Sequence, residues 1–498
     1  MKSSKDGYIL SLDQGTTSSR AILFDHDGLI VAQAQKPFTQ YYPEPGWVEH
    51  DPEEIWETQL AVAREAIELA GLSPEQIVSI GLTNQRETVV MWDKDSGRPV
   101  YKAIVWQCRR STAICEELLS SGLEDEFRSR TGLRLDPYFS GTKLCWLFRE
   151  IPGLKALAEN GEILFGTMDS WLLWKLTGRH ATDVTNASRT LLFNINTETW
   201  DPMLLSVLGI PSQILPKVCS SSDDFGMTKP ELFGCSIPVN GVIGDQQAAL
   251  FGHTCFNSGM AKTTYGTGCF TLLNTGNKPV WSKNDLLTTI AWRIGGKTTY
   301  ALEGSVFIAG AVLQWLRDEM QLISSAAESE ELARSIEDTN GVFFVPAFVG
   351  LGSPYWDPDA RGAIVGITRG VNRAHIVRAA LESIAYQSED LLSAMGSDCG
   401  EPVKILKADG GATANAFLMQ FQADISAIPV LLPEVSEITA LGAAYMAGLQ
   451  CGYWSGLVDI EKNWHVKSRF EPNMDEKDRQ KRLNLWHRAV SATREYKQ

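Results

Sequence analysis

Leu12-Asp13-Gln14-Gly15-Thr16-Thr17-Ser18-Ser19-Arg20 is the stretch from which the fold can be read. Apolar runs over residues 8–13 and 20–25 flank it, and two such runs joined by Gly, Thr and Ser predict a β-hairpin with a polar tip. Asp13 stands at the end of the first strand, just before a turn rich in backbone N–H and hydroxyl donors. A turn of that kind wraps a phosphate, and the adjacent carboxylate can hold Mg²⁺ through water. Standing alone, the stretch is also an ordinary Gly/Ser hairpin, so its meaning depends on its company.

Outward from the hairpin, Asp51 and Pro52 open a helix over 52–70, with an acidic first turn and apolar Ile55, Leu60, Ile67 and Leu69 along it. Strands follow over 77–83 and 88–92, separated by Asn84-Gln85-Arg86-Glu87. The chain then reads as irregular and aromatic-rich up to Trp200-Asp201-Pro202, before a strand over 239–244 ends at Asp245-Gln246 and a short helix runs over 247–251. After Phe251 the pattern restarts. Residues 259–265 and 269–273 read as strands around Gly266-Thr267-Gly268, and residues 298–302 as a third. Helices are expected over 306–320, 376–395 (capped by Asn372), 415–426 and 439–448, with a strand over 403–408 before Asp409-Gly410-Gly411. The restart divides the chain into two α/β halves, 1–250 and 251–498, and the turn Gly15-Thr16-Thr17 is faintly echoed by Gly266-Thr267-Gly268.

The second half adds two more places where a phosphate could meet backbone: Gly266-Thr267-Gly268 between strands, and Asp409-Gly410-Gly411-Ala412-Thr413-Ala414-Asn415 between a strand and a helix. Neither has the P-loop or the dinucleotide spacing. Asp245 is a second carboxylate at a strand end. Transfer of a phosphoryl group to an alcohol needs a group that accepts the hydroxyl proton, and such an Asp suits that role. It also suits a helix cap. Adjacent Arg86 and Glu87 can donate to and accept from neighbouring hydroxyls, or form an ordinary surface ion pair. Trp106, Tyr138 and Phe270 could wall a carbon chain or simply fill a core.

Composition narrows the classes. With 44% hydrophobic and 21% charged residues, the 498-residue chain has the make-up of a soluble globular protein. A net charge of -15 disfavours nucleic acid as a partner. The nine cysteines are scattered and include no C-x-x-C pair, which points to free thiols in a reducing compartment. The polar start 1–7 does not resemble a signal peptide, no window approaches a membrane span, and the expected location is cytoplasmic.

In combination these motifs resemble the FGGY family of carbohydrate kinases over essentially the whole chain. They run in family order from Asp13-Gln14-Gly15-Thr16-Thr17 through Asn84-Gln85-Arg86-Glu87-Thr88, Trp106-Gln107, Gly244-Asp245-Gln246 and Gly266-Thr267-Gly268 to Gly410-Gly411. Residues 138–150 (YFSGTKLCWLFRE) and 362–382 (GAIVGITRGVNRAHIVRAALE) match the two family signatures.

The resemblance implies an α/β fold of two RNase H-like (actin-like ATPase) domains facing across a cleft. It implies ATP and Mg²⁺ as partners in the phosphorylation of glycerol to sn-glycerol 3-phosphate, and a homodimer or homotetramer. By position, Arg86, Glu87, Tyr138, Asp245 and Gln246 would hold glycerol hydroxyls, with Trp106 and Phe270 against its carbon edge. Thr16, Thr17, Ser18, Arg20, Thr267, Gly310, Gln314, Gly411 and Asn415 would contact the nucleotide. Asp245 would be the general base, and Asp13 with Asp245 the metal-side carboxylates.

Two regulatory features of some family members do not carry over. Residues 227–238 contain no His to phosphorylate, and Lys229 is their sole basic residue where a sugar bisphosphate would need a Gly-Arg loop. The polar end 492–498 differs from the apolar tail of some eukaryotic relatives. Two rivals share the nucleotide turns: a family kinase acting on a pentulose or a four-carbon polyol, and an actin-like ATPase with no acceptor. The Arg86-Glu87 pair with Trp106 and Tyr138 favours glycerol.

Overall fold

The computed structural model describes residues 7–496. The reading of segment 1–7 falls outside them except for Gly7, and that of 492–498 falls outside them at Lys497 and Gln498.

The quoted stretch forms the predicted hairpin, Tyr8–Gln14 paired with Ser18–Phe24, with Asp13 opposite Arg20. It is the nucleus of a five-stranded sheet in the order Val239–Gly244, Ile77–Asn84, Tyr8–Gln14, Ser18–Phe24, Ile30–Pro37. The hairpin strands and Ile30–Pro37 are antiparallel, whereas Tyr8–Gln14, Ile77–Asn84 and Val239–Gly244 are parallel. Parallel strands packed on both faces read as nearly continuous apolar runs, and Ile9, Leu10, Leu12, Ile80, Leu82, Val242 and Ile243 are all buried. Gln14, Asn84 and Gly244 lie in register, so Asp13, Arg86-Glu87 and Asp245 leave one edge of the sheet together. Ligands of open α/β sheets bind at that carboxyl edge.

The second half repeats the plan. Its seven-stranded sheet runs Leu287–Ile294, Lys297–Val306, Cys269–Gly276, Ala261–Tyr265, Leu406–Asp409, Val430–Pro433, Val466–Phe470. Ala261–Tyr265 again opens an antiparallel hairpin on one side and pairs in parallel with Leu406–Asp409 on the other. The faint echo between the two Gly/Thr turns therefore reflects one topology used twice. The result is the expected α/β fold of two RNase H-like halves across a cleft.

Helices Asp245–Gly252 and Ile438–Gln450 sit between the sheets, where one apolar cluster joins Ile9, Ile22 and Ile243 of the first to Leu272 and Ala301 of the second. Backbones touch here because the side chains are small. A Cβ on Gly442 would lie 1.9 Å from the Ala248 carbonyl oxygen, and one on Gly81 would lie 2.2 Å from that of Ala443.

Most predicted helices form within a few residues of expectation. Asp51 caps Pro52–Leu69 by accepting from the amides of Glu53 and Glu54, and Asn372 and Asn415 cap Arg373–Cys399 and Ala416–Ser426. The helix expected over 306–320 is the shorter Gly310–Asp318, since Val306 still belongs to a strand.

The central segment is not irregular. It folds into short helices, of which Thr112–Ser120, Glu124–Thr131, Ser140–Glu150 and Pro202–Leu208 surround a core containing Phe127, Phe139, Leu144 and Leu192, while Met168–Thr177 packs into the core of the first sheet. Helices of that length are held by packing rather than by intrinsic propensity, which leaves little periodic signal. The C-terminal helix Glu476–Glu495 also escaped the reading. Among the described residues no helix is long and apolar enough to cross a membrane, and all nine cysteines are free.

Candidate active site

Asp245 is the first residue of its helix, but the cap position is Gly244. Its Oδ1 accepts from the Gln246 amide at 2.7 Å and lies 3.2 Å from Arg86 Nε, and 30% of the side chain remains exposed. Burial raises its proton affinity, and Arg86 partly offsets this. The helix-cap reading is thus replaced by a carboxylate paired with a guanidinium at the cleft.

Arg86 and Glu87 do not form a surface pair. Both are buried, and Arg86 Nε is 3.8 Å from Glu87 Oε1, yet the closest partners of each lie elsewhere. Arg86 forks onto Glu303, with Nη1 donating to Oε2 at 2.6 Å and Nη2 to Oε1 at 3.0 Å, and Nη1 also donates to Gln247 Oε1 at 3.0 Å. Arg189 Nε donates to Glu87 Oε1 at 2.6 Å, and its Nη2 to Glu303 Oε1 at 3.0 Å. Burial would raise the pKa of Glu303, but Arg189 and Arg86 together hold it at about 2. Removing one partner of such a buried pair costs about 3–5 kcal/mol. Glu87 also adopts φ 63°, a left-handed conformation that costs a non-glycine residue of order 1–3 kcal/mol.

An aromatic wall stands beside this charge cluster. Trp106 meets Tyr138 edge-on at 5.5 Å between ring centres and Phe270 at 6.4 Å, which brings together three residues that no local pattern connected. The Trp106 indole N–H donates to Thr16 Oγ1 at 3.0 Å, tying the wall to the first hairpin. Gln246 joins through Lys262, whose Nζ donates to Gln246 Oε1 at 2.5 Å and to the Phe270 carbonyl at 3.4 Å. Burial lowers the Lys262 pKa to about 8.

Around the hairpin, Arg20 Nη1 binds Glu437 and lies 4.0 Å from Asp13. Burial pushes the Asp13 carboxyl up to about 6 against the pull of Arg20, with the charges of Glu437 and Asp245 adding to the rise. Thr17 is exposed at the tip, and Ser18 Oγ accepts from Gln35.

The second-half turns converge separately. Gly310 N donates to the Gly266 carbonyl at 3.0 Å, and Ala309 and Ala311 N to that of Thr267. Gly410, at φ 94°, approaches so closely that a Cβ would lie 2.5 Å from the Tyr265 carbonyl oxygen. A Cβ on Gly411 would meet open space, Gln314 is exposed on the helix that Gly310 begins, and Asn415 caps the next helix while donating to Ser329.

Sequence reasoning singled out neither Arg189, Gln247, Lys262 nor Glu303. For Lys262 and Glu303 a signal existed, since each is a charge inside a strand whose neighbours are all apolar or small. Arg189 sits in an irregular segment and carries none.

Two like-folded halves, one carrying a buried charge cluster beside an aromatic wall and the other glycine-lined turns, have the architecture of a two-domain carbohydrate kinase of the actin-like fold. Residues 8–252 match the N-terminal domain and residues 261–451 the C-terminal domain of the FGGY family of carbohydrate kinases, and the chain belongs to that family. It is 59% identical over 485 residues to a glycerol kinase of Caldanaerobacter subterraneus subsp. tengcongensis, covering 97% of this chain and 98% of that one. The crystal structure of Plasmodium falciparum glycerol kinase with ADP superposes with a TM-score of 0.92 at 39% identity, over 98% of each chain. A xylulose kinase of Lactobacillus acidophilus, 22% identical with a TM-score of 0.88 over 98% of each chain, shares the fold.

Proposed function

We propose that this chain transfers the γ-phosphoryl group of ATP to a primary hydroxyl of glycerol, giving sn-glycerol 3-phosphate and ADP. The observation that carries the reading is the 3.2 Å contact of Arg86 with Asp245 beside the Trp106–Tyr138–Phe270 wall. Arg86 and Gln246 donate to the polyol hydroxyls, Glu87 accepts, Tyr138 can do either, and Trp106 and Phe270 cover the carbon edge. As the new O–P bond forms and the bond to the ADP oxygen breaks, the hydroxyl proton passes to Asp245. A carboxylate whose proton affinity is raised by burial suits that step.

Residues 1–250 supply the acceptor pocket, apart from Phe270, and the first phosphate turn, and residues 251–498 the rest of the nucleotide site. Thr16, Thr17, Ser18 and Arg20 approach the phosphates from one side, and Thr267, Gly310, Gln314, Gly411 and Asn415 hold the nucleotide from the other. Crowding of Asp13, Asp245 and Glu437 favours a divalent cation near Asp13. Among the described residues no three His, Cys, Asp or Glu side chains form a metal cage, so water and phosphate oxygens would complete the shell. A Mg²⁺ on Asp13 and Asp245 would neutralise charge on the transferring group. Free cysteines accord with the cytoplasm, and the assembly expected of a chain of this family is a homodimer or homotetramer.

The test is a panel of ATP-coupled assays with glycerol, erythritol, xylulose and ribulose. Glycerol is expected to give the highest kcat/KM. A strong preference for a ketose would overturn the choice of acceptor, and ATP turnover indifferent to every polyol would overturn the kinase reading.

A further inference from the structure

The acceptor pocket rests on a pair of buried charges that belong to different parts of the chain. Glu303 comes from strand Lys297–Val306 of the second sheet, whereas Arg86 and Glu87 leave the first. Arg189 follows the short helix Val184–Ala187, which is bound to the first sheet at two points. Asn186 and Asn84 exchange side-chain hydrogen bonds at 2.9 and 3.2 Å, and Thr185 Oγ1 accepts from the Gly244 amide at 2.8 Å. Arg189 is thereby anchored to the ends of the same strands that present Arg86 and Asp245.

We propose that Glu303 and Arg189 are positioning residues of the acceptor pocket: Glu303 sets the fork of Arg86, and Arg189 sets the carboxylate of Glu87. The inference deepens the kinase reading above and rests on it. Both oxygens of Glu303 are engaged, Oε2 by Arg86 and Oε1 by Arg86 and Arg189 together. With Nη1 and Nη2 held in that plane, Arg86 can turn only Nε toward Asp245. Arg189 in turn grips Glu87 Oε1, leaving Oε2 of that carboxylate for an acceptor hydroxyl. Both guanidinium groups and both carboxylates are buried, so without its partner a guanidinium would turn to other contacts and a carboxylate would take up a proton.

A geometric role of this kind has a kinetic signature that general destabilisation lacks. The pair touches the acceptor side and not the glycine turns, so its loss should raise KM for the acceptor while sparing KM for ATP. A displacement of about 1 Å is enough to cost up to about 100-fold in rate.

The experiment compares full-length wild-type enzyme with Glu303→Gln and Arg189→Lys, using whichever panel acceptor the wild type turns over fastest. Failure of the glycerol assignment would therefore appear in the wild type alone and leave the comparison intact. Each variant is expected to raise KM for the acceptor at least ~10-fold, with KM for ATP changing less than ~3-fold. Arg189→Lys keeps the charge but not the fork, so its defect separates geometry from electrostatics. It also carries the test if Glu303→Gln fails to fold. Normal acceptor KM in a folded variant, or equal rises in both KM values, would overturn the proposal.

Discussion

The turn at Gly15–Thr17 and the turn at Gly266–Gly268 occupy the same place in two sheets of one topology, yet they are surrounded by different chemistry. Around the first, side-chain charges dominate: Asp13, Arg20, Glu437 and, across the sheet edge, Arg86 and Asp245. Around the second the contacts are largely main-chain, from Gly310, Ala309 and Ala311, with Gly410 pressed against Tyr265. Duplication of a fold does not duplicate its site. The long insertion between Asn84 and Val239 supplies Trp106, Tyr138 and Arg189, which in the proposed reading bring most of the acceptor pocket to the first half.

The contrast breaks most completely at Asp245. Asp245→Asn keeps the shape of the side chain and removes its capacity to take a proton, so kcat is expected to fall by about 10² to 10⁴. Steady-state turnover with ADP release as the readout, alongside a thermal melt to verify folding, checks this. Near-normal turnover would remove the base assignment. On the other side of the cleft, Gly410→Ala puts a methyl group 2.5 Å from the Tyr265 carbonyl oxygen at a φ of 94°. That backbone strain alone is worth about 1–3 kcal/mol. KM for ATP is expected to rise about tenfold, the equivalent of 1.4 kcal/mol, with a smaller change for the acceptor. Equal effects on both substrates would blur the division between the halves.

Legibility in the sequence follows the same contrast. Turns announce themselves through Gly, Thr and Asp at fixed offsets, so both hairpins, the strand end at Asp245 and the caps Asp51 and Asn372 could all be read. The pocket could be read only at its motif residues. Its supports, Glu303, Arg189 and Gln247, are set by tertiary contacts more than fifty residues away in the chain, a separation that no local pattern encodes. The central helices are hidden for a related reason: they are seven to eleven residues long and depend on packing.

The third way to sharpen the comparison is pH. Asp13 titrates near 6 when folded and at 3.8 in the reference state, so between those values the folded chain binds more protons than the unfolded one. Stability from this group is full below 3.8 and is lost as pH climbs through 6, to a limit of about 3 kcal/mol. Asp13→Asn abolishes that loss. In nucleotide- and metal-free protein, the advantage of the variant over wild type in urea-unfolding midpoint should therefore grow from pH 4 to 7. A pH-independent difference would mean that Asp13 is not crowded by burial and its neighbouring carboxylates.

The smallest expected effect lies where the two chemistries meet. The Trp106 indole N–H donates to Thr16 Oγ1, which joins the acceptor wall to the phosphate turn of the same half. Thr16→Val keeps the volume and removes the acceptor, leaving the indole N–H to find water at the cost of about 1 kcal/mol. Because Trp106 packs edge-on against Tyr138 and Phe270, a small tilt of the ring would reach the acceptor site as well as the turn. KM for acceptor and for ATP should therefore shift together, each by about fivefold or less, unlike the one-sided changes expected of Gly410→Ala. The shift should be accompanied by a change in tryptophan emission. A change confined to ATP would assign Thr16 to the nucleotide alone and leave the wall mechanically independent of the hairpin.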